Sequence, residues 1–167
     1  MPTMQPAYHV GIVVADLEQA MAELGKIGLE WHAPTRNNSD VLHNGETMNI
    51  QPWMTYSKQG PPYLELLEQM PGTIWAETGL HHLGIWADDV LEESKRLSAE
   101  GLPQLISSHD NTSNSPSCYH QTSDGVRLEL MDIGRVGPGL ALYLSGAADD
   151  YLNGLRSATA NGVAADH

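Results

Sequence analysis

The chain has 167 residues, 21 acidic against 8 basic side chains and a formal charge of −13 at pH 7. It has room for one well-buried domain and lacks the clustered Lys and Arg that nucleic-acid phosphates demand. Its single cysteine, Cys118, excludes an intramolecular disulfide, and no apolar run approaches the roughly 20 residues of a membrane span. Residues 1–7 lack the basic and apolar regions of a secretion signal, so the expectation is a cytoplasmic protein acting on a small molecule, with neither nucleic acid nor membrane as partner.

In chain order, the β-branched run at 10–14 predicts a short strand that stops at Ala15-Asp16. Asp16 then suits an N-cap, since Leu17, Ala20, Met21, Leu24 and Ile27 recur at helical spacing before Gly25 and Gly28 mark the exit. Residues 29–42 read as loop around one short strand, and 46–56 and 63–69 as two more strands. These make a first β-α-β-β-β module over 7–70. A second module over 79–133 repeats the order, with a strand at 80–87, a helix at 89–100, a strand at 104–108 and a hairpin of 117–122 with 126–132. The polar stretch 110–117 reads as a loop able to flap over a site. Beyond it, 134–167 is an extension within the same single domain, broken by Gly134, Gly137, Pro138 and Gly139, with a short helix at 149–158 and a frayed end at 161–167. Packing or a subunit contact is its expected role.

The modules share phrases. Tyr8-His9-Val10-Gly11 recurs as His81-His82-Leu83-Gly84 at an offset of 73, and Leu64-Glu65-Leu66 as Leu128-Glu129-Leu130 at an offset of 64. Each half therefore opens on a strand bearing His and closes on a strand bearing Glu. Alternation puts His9, Gly11 and Val13 on one face, His82, Gly84 and Trp86 on one face, and Glu65 and Glu129 likewise opposite the leucines. If the apolar sides meet the helices, His9, Glu65, His82 and Glu129 share a cleft. Two carboxylates converging without a cation repel by about 4 kcal/mol at 4 Å and an effective dielectric near 20. A divalent transition metal (Co, Ni, Mn, Zn or Fe(II)) removes that cost and retains open positions for substrate. His81, one residue from His82, is expected to point to the opposite face.

These phrases, with Ala15-Asp16-Leu17 and Asp124-Gly125-Val126-Arg127, resemble the vicinal oxygen chelate superfamily of glyoxalases, bleomycin-resistance proteins and extradiol dioxygenases. Within it they look most like methylmalonyl-CoA epimerases. The resemblance implies an α+β fold of two βαβββ modules, forming paired curved mixed sheets around a metal that binds substrate through two adjacent oxygens, and often a homodimer. It further implies an epimerase, isomerase or glyoxalase-type lyase that removes a proton next to a carbonyl, with Glu129, Glu46 or His120 as candidates to move it. Two other readings stay open. An Fe(II) extradiol-type dioxygenase would need only two His and one Glu, and a metal-free drug or metabolite binder would use Trp31, Trp53, Trp75 and Trp86 for stacking.

Overall fold

The computed structural model describes residues 5–108 and 116–160. Its elements are β1 (His9–Val14), α1 (Leu17–Gly25), β2 (Thr35–Arg36), β3 (Ser39–His43), β4 (Glu46–Ile50), β5 (Trp53–Tyr56), β6 (Tyr63–Glu68), β7 (Gly79–Ala87), α2 (Val90–Ala99), β8 (Gln104–Ser108), β9 (Ser117–Gln121), β10 (Arg127–Asp132), α3 (Ile133–Leu144) and α4 (Asp149–Ala160). The expected loop at 110–117 and the frayed end at 161–167 lie largely or wholly outside the described residues. Both halves start their helix the same way: Asp16 accepts from the Gln19 N–H at 2.9 Å, and Asp89 from the Glu92 N–H at 3.0 Å.

All ten strands join one curled mixed sheet in the order β2-β5-β6-β1-β7-β10-β9-β8-β3-β4. Its centre is the antiparallel pairing of β1 with β7. Outward from that seam, β1 meets β6 in parallel and then β5 and β2 antiparallel, while β7 meets β10 in parallel and then β9 and β8 antiparallel. The two halves are thus related by a pseudo-two-fold axis through the seam.

Residues 39–50 depart from the expected β-α-β-β-β order. They form the β3–β4 hairpin, turned by Asn44 and Gly45 at φ of 52 and 80, and β3 adds to β8 of the other half. A free β8 edge would leave backbone groups unpaired, and the hairpin covers it while carrying the sheet further around its concave side. A second departure is α3, which runs through the glycines and Pro138 expected to break the pattern. Asp132 caps it by accepting from the Arg135 N–H at 2.9 Å, and Val136, Leu140 and Tyr143 lie against the concave side. The partial burial of these three side chains, with the Asp132 cap, offsets the poor helix propensity of Gly and Pro.

Apolar residues divide between the two faces. Ile85, Ala87, Val90, Leu97, Cys118 and Leu130 form the core under α2, while Val13, Val41, Ile50, Trp75, Ile106 and Tyr119 form a second cluster on the concave side. Each Val, Leu and Ile among them contributes about 1.5–3 kcal/mol of burial. No helix among the described residues is long and apolar enough to cross a membrane.

Candidate metal centre

At the seam, side chains from four strands converge: His9 from β1, Glu65 from β6, His82 from β7 and Glu129 from β10, with ligand atoms all within 4.8 Å of one another. They are buried, at 0%, 5%, 4% and 8% exposure. His9 Nε2 stands 3.4 Å from Glu65 Oε2 and 3.2 Å from Glu129 Oε2, and His82 Nε2 mirrors this at 3.2 Å and 3.4 Å. The two Nε2 atoms are 2.8 Å apart. Around an ion with bonds of about 2.1 Å, adjacent ligands stand about 3.0 Å apart at right angles and about 3.4 Å apart at the tetrahedral angle. The donor spacing therefore matches the edges of a small coordination shell, and the two-His, two-Glu set suits a divalent transition metal.

The His-x-Gly spacing has a steric cause. In the antiparallel seam His9 lies opposite Gly84, and Gly11 opposite His82. A Cβ on Gly11 would sit 1.9 Å from His82 Cε1, and one on Gly84 would sit 2.0 Å from His9 Cε1. Each imidazole crosses the seam over the other half's glycine, which is how two rings on neighbouring strands bring both Nε2 atoms to the axis.

His81 does not point away as strand alternation predicts. Gly11 pairs with His82 but Ile12 pairs with Leu80, so His81 is the extra residue of a bulge. Its ring turns in beside His82, with Nδ1 to Nδ1 at 2.9 Å, and its Nε2–H donates to the Ile74 carbonyl at 2.8 Å. Burial lowers its pKa to about 4, so it is neutral and its Nδ1 is an acceptor. His82 must then donate from Nδ1, which leaves the Nε2 lone pair directed at the site. His81→Phe, which retains the ring between Trp75 and Tyr119 but removes the acceptor, is expected to weaken metal binding 10- to 100-fold in a chelator competition. Unchanged affinity would dismiss this orienting role.

Each glutamate is also held by a tyrosine across the strand pair. Tyr119 OH donates to Glu129 Oε1 at 2.6 Å, and Tyr56 donates to Glu65. Tyr56 faces Glu65 and Tyr119 faces Glu129 in the sheet register. Sequence reasoning missed both tyrosines, although they recur within one residue of the offset that relates the glutamates. Burial, with Glu65 and Glu129 adding to it, raises both phenols well above their ordinary range, so they are neutral donors. Burial opposes charge on His82 and Glu129 as well. Even so, Glu129 and Glu65 lift His82 to about 9, and His82 and His9 bring Glu129 well below the usual carboxylate range.

The other expected site residues lie elsewhere. Glu46 is exposed at the start of β4, paired opposite His43, and does not line the cavity that adjoins Glu65 and Glu129. His120 is fully buried on the α2 side, donating from Nδ1 to the Leu102 carbonyl and accepting from Ser94 Oγ, both at 2.8 Å. Alternation on β9 turns Tyr119 toward the glutamates and His120 away from them. Of the four tryptophans, Trp75 alone lines the cavity. Trp31 donates to the Met21 carbonyl, Trp53 lies under Arg36 and Arg156, and Trp86 stacks on Tyr8 at 3.9 Å.

Sheet order, seam and converging donors define a vicinal oxygen chelate fold. The sequence model of the Glyoxalase/Bleomycin resistance protein/Dioxygenase superfamily matches residues 8–119, and the chain belongs to that superfamily. Similar solved structures include a Streptomyces coelicolor methylmalonyl-CoA epimerase in complex with 2-nitronate-propionyl-CoA, at 16% identity and TM-score 0.51, covering 77% of this chain and 99% of that one. The Mycobacterium tuberculosis methylmalonyl-CoA epimerase aligns at 17% identity and TM-score 0.52, covering 78% of this chain and 91% of that one. A hypothetical protein from Bacillus halodurans aligns at 14% identity and TM-score 0.53, covering 77% and 92%. At these identities the likeness is one of fold. No curated protein matches the sequence.

Proposed function

We propose that this chain is a divalent-metal-dependent isomerase or epimerase, which holds a small substrate through two adjacent oxygens and moves a proton next to its carbonyl. The observation that carries the reading is the convergence of His9, Glu65, His82 and Glu129, four buried donors on a pseudo-two-fold axis beside a cavity. A metal held by these four supplies Lewis acidity that stabilises an enolate oxygen, an effect worth several kcal/mol of barrier.

The chain's own residues supply the rest. Tyr56, Tyr119 and Tyr143 line the cavity as phenols with raised pKa values, and burial lifts the Cys118 thiol to about 12. None of these is a base near neutral pH. Among the described lining residues that leaves the carboxylates of Glu65 and Glu129. They approach from β6 and β10, on opposite sides of the β1–β7 seam. In an epimerisation, Glu129 takes the α-proton from one face while Glu65 serves the other, each braced by its tyrosine. With Glu46 and His120 outside the cavity, Glu129 retains the role of base.

Deuterium exchange tests this directly. Metal-loaded protein in D2O is expected to exchange the α-proton of 2-methyl-3-oxo acids and α-hydroxy ketones of graded size, followed by proton NMR. Glu129→Gln should slow exchange by about 10²–10⁴-fold. Exchange that survives both chelation and Glu129→Gln, or oxygen consumption without exchange, would reject proton transfer and favour the dioxygenase.

A further inference from the structure

We infer that the substrate is an amphiphilic acid: a chelating oxygen pair at one end, an apolar aliphatic or aromatic body, and a carboxylate at the other end that meets Arg36 and Arg135. The inference rests on the metal-chelate reading above and adds to it the chemistry of the rest of the molecule.

Three observations carry it. First, the cavity above the four ligands has a volume of about 550 Å³, a size suited to a drug-like molecule. One dipeptide step along each closing strand, roughly 7 Å, leads from the glutamates to apolar side chains, Leu67 on β6 and Met131 on β10. Met54 and Ile106 add to that wall.

Second, α3 roofs the cavity. Val136, Leu140 and Tyr143 face into it, and Tyr143 OH donates to the Ala33 carbonyl at 2.7 Å, which ties the helix from β10 across to the β2 side. This helix lies beyond the segment 8–119 that matches the superfamily. It therefore shapes the cavity from outside the matched segment.

Third, the charge is placed asymmetrically. The chain has only 8 basic side chains against 21 acidic ones, yet two arginines, Arg36 and Arg135, line this one cavity from exposed positions. Neither forms an ion pair with a described carboxylate; of the other six basic residues Lys58, Lys95, Arg96 and Arg156 do, while Lys26 and Arg127 also lack one but do not line the cavity. Among the described residues the acids lining the cavity are Glu65 and Glu129, the proposed metal ligands. Arg36 also donates from Nε to the Gln51 carbonyl at 3.2 Å and lies over Trp53, but two exposed guanidiniums without a carboxylate partner, beside apolar walls, favour an anionic group on the ligand there. A CoA thioester asks for a more extensive basic surface around its phosphates, and the remaining basic residues do not line this cavity.

The test uses hydroxamic acids, which chelate through two adjacent oxygens, titrated calorimetrically into the metal-loaded full chain. Octanohydroxamate is expected to bind at least 100-fold tighter than acetohydroxamate, since each buried methylene is worth about fourfold. The monohydroxamate of suberic acid should at least equal octanohydroxamate. Its standing relative to octanohydroxamate should then fall about tenfold in Arg36→Gln with Arg135→Gln, and recover in the Lys variants. Both arginines are exposed, so melting temperatures should hold and serve as the folding control. If no hydroxamate binds, the metal reading itself fails. If acetohydroxamate binds but chain length brings nothing, if the terminal carboxylate is rejected whichever residue stands at 36 and 135, or if propionyl-CoA displaces the suberic probe, the metal reading stands and this inference is overturned.

Discussion

Gly11→Ala is expected to abolish tight metal binding although Gly11 is not itself a ligand. The added methyl would lie 1.9 Å from His82 Cε1 and 2.3 Å from Nδ1, so the ring must leave the axis or the seam must open. Loss of a mere orienting contact costs 10- to 100-fold in affinity, and displacing the ligand ring itself should cost at least about 100-fold. Isothermal titration of Gly11→Ala against the parent measures this. Gly25→Ala serves as control, because a methyl there meets nothing within 4 Å. The same clash should lower the melting temperature, and adding His82→Ala should recover part of that loss while leaving the metal unbound, a non-additivity that marks direct contact. Gly84→Ala should behave alike through His9. Affinity within threefold of the parent would mean that the crossed-ring geometry is wrong.

Proton competition should make metal uptake steeply pH-dependent. The His82 pKa is lifted from 6.5 to about 9 in the metal-free protein, burial notwithstanding, because Glu129 and Glu65 lie beside it. A metal must displace that proton. Apparent affinity should therefore rise about tenfold per pH unit between roughly 7 and 9 and level off above, with about one proton released per ion near pH 7.5. Titrations in buffers of different ionisation enthalpy count that proton. The stability of the metal-free protein moves the other way. A folded-state pKa above the unfolded value contributes stability that is fully present below about 6.5 and lost as pH rises through about 9, on the order of 3 kcal/mol. The gap between metal-loaded and metal-free melting temperatures should therefore widen from pH 7 to pH 9. A constant gap, with no proton released, would show that His82 is neutral before metal binds.

Much of the candidate site was legible because the chain says it twice. The recurrence of His9 as His82 and of Glu65 as Glu129, joined to strand alternation, brings four donors to one face without any knowledge of the sheet. Helices α1 and α2 were equally legible, since capping Asp16 and Asp89 act on residues three positions away. Asn44-Gly45 was also a readable signal for a two-residue hairpin turn, passed over because the apolar pattern around it is weak. His120 misled because residue type alone suggested proton transfer, whereas one step of alternation sends it to the α2 side.

By itself, then, the sequence determined what short-range geometry controls: strand faces, helix starts, and a doubled set of metal-type donors. The tertiary structure alone decided what depends on partners distant in the chain. It crossed each imidazole over the opposite glycine, bulged His81 in behind His82, set Tyr56 and Tyr119 against the glutamates, added the β3–β4 hairpin to β8 and drew α3 across the cavity. A bulge or an added edge strand follows from which backbone groups and apolar faces remain unpaired once the sheet has formed, and those are properties of the assembled fold.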